Sequence, residues 1–130
     1  MSIWSYVVAI VGGMFLASAF VVGGAWPAAL LGVAAFVLAA EWSRETRVAV
    51  HAALLFGVCG YVGGYHWLQP ALVAFSGGYQ LLSWAVWLAL GAWVALRFLL
   101  IMIGYRALRR RRCNTILALM LPWLSIEWLY

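Results

Sequence analysis

From Ile3 to Ala40 the chain carries no charged side chain, and from Val48 to Leu96 it again carries none. Stretches of this kind exclude a water-soluble core, because a small globule needs charged and polar groups to cover its outside. They suit a bilayer, where about 20 consecutive apolar residues cross the ~30 Å hydrocarbon layer as a helix. The backbone then has two choices, a helix or a closed barrel. Barrel strands alternate apolar and polar residues. Here the run Ala28-Ala-Leu-Leu-Gly-Val-Ala-Ala-Phe-Val-Leu-Ala-Ala40 is apolar all round, so the chain is expected to be all-α and polytopic.

Its 130 residues leave room for about four spanning helices and a short apolar remainder. The expected helices cover 3–22, 27–42, 48–68 and 79–104. Gly23-Gly24 ends the first and Pro27 opens the second, the favoured positions for glycine and proline. A polar turn at 41–47 separates the second from the third. Gln69-Pro70 is expected to end the third, followed by an uncharged loop through Ser76-Gly77-Gly78. This gives a four-helix transmembrane domain over 1–112 and a membrane-associated segment over 113–130. That last segment carries Pro122 and Glu127. As a helix of 15 to 17 residues it would cover about 22–26 Å, short of the hydrocarbon thickness. It is expected to lie in the interface or re-enter, with a fifth span as the alternative. Residues 7–16 followed by Ala17-Ser18-Ala19 resemble a signal peptide, but no basic segment precedes them, so they are read as a retained helix.

Charge sets the orientation. All eight basic residues are arginines. With four helices, Arg44 and Arg47 fall on the same face as Arg106 and Arg109 to Arg112, and the opposite loops are uncharged. The positive-inside rule then makes the N-terminus cytoplasmic. A bacterial inner membrane is the default location, with a viral or phage-derived membrane as the alternative.

Small residues mark the helix faces that can approach closely. Ala28, Gly32, Ala35 and Ala39 share one face of the second helix; Ala53, Gly57, Gly60 and Gly64 share one face of the third. Lipid removes hydrophobic drive between helices, so close backbone approach must supply the packing. A short turn makes these two helices antiparallel neighbours, and their small faces are expected to meet. Ala9, Gly13 and Ala17 offer a further close crossing on the first helix.

The remaining polar residues carry the chemical alternatives. His51 and His66 lie about 22 Å apart along one helix and cannot share a metal or haem within one chain, so neither a metal nor a cofactor is expected. Haem ligation by either would need a partner ligand from elsewhere. Arg97 is the one charge inside an expected span. It is read as snorkelling towards the arginine-rich surface or pairing with Glu41 or Glu45. Arg106, Arg109, Arg110, Arg111 and Arg112 are expected to anchor topology and to contact anionic headgroups or phosphate, with nucleic acid the less favoured partner. Cys59 and Cys113 fall at different depths and are not expected to pair.

The P-loop, HExxH and CxxC motifs are missing, and the sequence assembles no polar cluster at one membrane depth. The expected function is therefore a small non-enzymatic membrane subunit. It would contact membrane lipids and pack as a homo-oligomer or against a larger membrane-protein partner. Two alternatives stand beside it: a holin-like pore or small-solute channel, and a haem-bearing anchor of a redox complex.

Overall fold

The computed structural model describes residues 2–22 and 25–129; the Gly23-Gly24 break and Tyr130 lie outside the described residues. Six helices follow in order: α1 Ser2–Val21, α2 Trp26–Trp42, α3 Thr46–Gly64, α4 Leu68–Phe75, α5 Gln80–Arg110 and α6 Thr115–Leu129. No strand occurs among the described residues. Helices α1, α3 and α5 are each long and apolar enough to cross a bilayer, and α2 and α6 are shorter apolar helices. The protein is an all-helical membrane protein, as its apolar runs require.

Helix α3 is the centre of the bundle, flanked by α1 on one side and α5 on the other. The small faces of α2 and α3 do not meet each other, contrary to expectation. Helix α1 packs along both, while α2 and α3 touch over a much shorter stretch. The reason is visible at the glycines of α1. A Cβ on Gly13 would lie 2.6 Å from the backbone oxygen of Phe56, and one on Gly12 would lie 2.7 Å from the Ala35 Cβ. Gly32 faces the Gly12 oxygen, and Gly60 and Gly64 face Leu16, Phe20 and Ala17. Gly57 instead faces α5, where a Cβ would meet the Ala95 Cα at 2.8 Å. Ala39 and Ala53 are buried in the core, and Ala28 is half-buried. A short connection makes two helices neighbours in sequence, but the backbone that can come closest wins the contact.

Aromatic rings tie the layers together. Phe36 of α2 packs on Phe56 of α3 with centroids 5.0 Å apart, and Phe56 packs on Phe98 of α5 at 4.9 Å. Phe98 in turn meets Trp123 of α6 at 5.9 Å. Outside this core the surface is apolar, with Leu30, Leu31, Leu88, Leu96, Ile116 and Leu117 all exposed. That is the pattern of a bundle whose solvent is lipid.

Three expected boundaries move. Pro70 does not end α3; it sits in the first turn of a separate short helix, α4, where a missing N–H costs nothing. Helix α5 does not stop at Gly104 but continues to Arg110, because leucine, alanine and arginine are good helix formers and cations favour a helix C-terminus. Finally, the C-terminal segment is a single helix across Pro122. Asn114 caps α6 by accepting the Ile116 N–H at 2.9 Å, and the helix then runs back along α5. Gly104 makes this possible: a Cβ there would lie 2.8 Å from Pro122 Cβ and Cγ.

Helix α5 ends in a Schellman arrangement. The Cys113 N–H donates to the Leu108 oxygen at 3.2 Å and the Arg112 N–H to the Arg109 oxygen at 3.0 Å. The residue that turns the chain, Arg112, has φ 61°, a left-handed conformation that normally falls to glycine.

Candidate functional site

Two of the cavities between these helices carry charged side chains. The first lies between α1, α3, α5 and α6, has a volume of about 260 Å³, and is lined by apolar side chains with Arg97 and Glu127 on its wall. Gly60 also lines it without adding a side chain. Leu16, Phe20, Val94, Phe98, Ile101 and Trp123 supply the apolar surface. From Arg97 to Arg106 is about 14 Å of helix, and Arg97 lies within the long apolar helix α5.

Arg97 donates from Nη2 to Glu127 Oε1, and the two form an ion pair between α5 and α6. Arg97 is therefore paired with Glu127 and not with the expected Glu41. The 14 Å between Arg97 and the arginine-rich end is too far for Glu41, whereas the return of α6 brings Glu127 level with Arg97. Glu41 is engaged at the other end of the bundle. Near the pair, Tyr61 and Tyr65 also line the cavity. The Tyr61 hydroxyl donates to the Trp87 oxygen at 2.9 Å, and Trp87 Nε1 donates to the Tyr65 oxygen at 3.2 Å. The sequence signal was present but faint: one isolated base and one isolated acid, with a glycine and a proline placed to bring their helices together.

The second cavity, about 470 Å³, lies at the arginine-rich end and is lined by Glu41, Tyr105, Arg106, Arg109, Arg110 and Arg112. Arg106 caps the end of α2, donating to the carbonyls of Ala40 at 3.0 Å, Ser43 at 2.7 Å and Arg44 at 3.1 Å. Arg109 Nε donates to Glu41 Oε1 at 2.8 Å and its Nη1 to the Cys113 oxygen at 3.0 Å. Tyr105 donates its hydroxyl to the same Glu41 oxygen. Arg110 Nη2 donates to Thr46 Oγ1 at 2.8 Å. These three arginines therefore clamp α5 onto α2 and the start of α3. Arg111 and Arg112 are exposed.

The histidines do not converge. His51 is exposed on α3, and His66 lies past its end with Nδ1 2.9 Å from the Gly63 oxygen. No cluster of metal-ligating side chains forms among the described residues. Cys59 and Cys113 are free thiols.

The family model described as the apolipoprotein N-acyltransferase N-terminal domain matches residues 12–130. No curated protein and no solved structure matches the chain. The matched stretch takes in the second half of α1 and everything after it, including both cavities described above, and on that extent the chain belongs to the apolipoprotein N-acyltransferase N-terminal domain family.

Proposed function

We propose that this chain is a membrane-embedded, lipid-holding domain for N-acyl transfer, with the bond-making groups supplied by another polypeptide region or partner. One observation carries the reading: a family match to an acyltransferase domain coincides with an apolar cavity at membrane depth. An acyl group is a long apolar chain that resides in the bilayer. A bundle that delivers it needs a recess lined by apolar side chains and reached from lipid. The Phe98–Trp123 wall is such a lining, and the Arg97–Glu127 pair holds α6 in place as one side of it.

In this reading the domain itself does not catalyse the reaction. It works with a larger membrane-protein partner, which is favoured over self-association because acyl transfer needs a site for the acceptor amine. The positive-inside rule orients the bundle with its arginines and N-terminus in the cytoplasm, in a bacterial inner membrane.

The test is direct. The purified chain, in detergent with a phospholipid carrying a radiolabelled acyl group and a lipopeptide with a free N-terminal amine, should transfer no label. Native mass spectrometry of the same sample should show bound phospholipid. Turnover above a heat-inactivated control would make the chain an enzyme in its own right. A lipid-free spectrum in gentle detergent would remove the lipid-holding role.

A further inference from the structure

We infer that the cavity at the arginine-rich end is a binding site for the phosphate of an anionic membrane lipid, with Arg112 as its free ligand-facing cation. This goes beyond the acyl-chain reading and does not depend on it, since the two cavities are separate.

Four guanidinium groups and one carboxylate line this cavity, so three positive charges stand in one recess without a counterion. Arg106, Arg109 and Arg110 are fixed in position by the hydrogen bonds that clamp α5 to α2 and α3. Their orientation is therefore set before any ligand arrives. Arg112 differs from them: it is exposed, and no side-chain partner meets it among the described residues. Its backbone also occupies the left-handed position of the Schellman turn at φ 61°. Glycine would fit that turn without strain. What arginine adds is a planar guanidinium on the rim of a positively charged recess, a geometry suited to paired hydrogen bonds with phosphate oxygens.

The surroundings select lipid over soluble phosphate. Trp42, Ile103, Ile116 and Leu117 lie near the same end and are exposed. Ile116 and Leu117 fall in the first turn of α6, just past Arg112. A lipid whose phosphate enters the recess can lay its tails on this apolar surface; inorganic phosphate cannot, and a polynucleotide would not contact it.

Binding is measured on the purified chain in detergent by native mass spectrometry, titrating phosphatidylglycerol, phosphatidylcholine, inorganic phosphate and a short oligonucleotide. Phosphatidylglycerol should bind best. Arg112→Gly should raise the melting temperature of the lipid-free protein, since strain is relieved, and weaken phosphatidylglycerol binding by at least about five-fold. Arg112→Ala should weaken binding equally without the rise in melting temperature. Wild-type phosphatidylglycerol affinity in both variants overturns the site. So does equal binding of phosphatidylcholine, and so does tighter binding of inorganic phosphate or the oligonucleotide.

Discussion

Arg97 and Glu127, thirty residues apart in the chain, face each other and join α5 to α6. Each alone would be an expensive charge in hydrocarbon, and together they partly cancel. The pair also fixes the register of the return helix, together with the Phe98–Trp123 ring contact and the seat of Pro122 on Gly104. The wall of the central cavity depends on that register.

Replacing Glu127 by glutamine removes the carboxylate charge that faces Arg97. The expected loss of stability is about 1–3 kcal/mol, the cost of taking the counter-charge from a hydrogen-bonded ion pair. The double substitution Arg97→Leu with Glu127→Leu should recover most of it, because apolar residues can replace an ion pair without leaving a charge behind. Reversible unfolding in mixed detergent, run as a double-mutant cycle, measures both effects.

Gly104→Leu should separate α6 from α5. Even a Cβ at this position meets the ring of Pro122 at 2.8 Å, and proline cannot rotate away. Overpacking of this kind costs about 1–3 kcal/mol. Limited proteolysis should then cut within 111–129 well before the rest of the chain, whereas the parent protein resists there.

The α1 glycines are unequal partners to those of α3. Gly13→Ala places a Cβ 2.6 Å from a backbone oxygen, whereas Gly60→Ala places one 3.4 Å from the flexible end of Leu16. The first should lower the melting temperature by several degrees, and the second should leave it nearly unchanged while narrowing the central cavity. Thermal unfolding of the two variants side by side is sufficient.

At the C-terminus of α5, the left-handed Arg112 carries a strain that any residue with a Cβ shares, amounting to roughly 1–2 kcal/mol. Arg112→Gly should therefore be more stable than Arg112→Ala by about 1 kcal/mol, less the extra chain entropy that glycine brings to the unfolded state. Equal melting temperatures would show that the turn relaxes around alanine.

The membrane class of the protein is legible because two uncharged runs admit no other solvent, and the helices follow from their all-round apolarity. Helix pairing was not legible. Ala28, Gly32, Ala35 and Ala39 mark a face that approaches something closely, but a stripe of small residues does not name its partner, and α1 supplied it through Gly12 and Gly13. The candidate site was hidden for a related reason. Arg97 and Glu127 each read alone as a surface-seeking charge, and only the fold-back of α6 puts them level. Pro122 looked like an interruption, yet it is the residue that seats α6 on Gly104. The arginine cluster was legible as an end-of-helix charge; which of its members clamp the bundle and which stay free depends on the position of α2, which the sequence pattern leaves open.

The most direct test of the account is where a lipid tail rests in the folded bundle. A phospholipid bearing a photoreactive diazirine near the end of its acyl chain, reconstituted with the protein and irradiated, should label Phe98 and Trp123 in the central cavity. Filling that cavity with Val94→Trp should abolish those two labels. Labelling confined to outward-facing residues such as Leu30, Leu88 and Leu117, and indifferent to Val94→Trp, would contradict it.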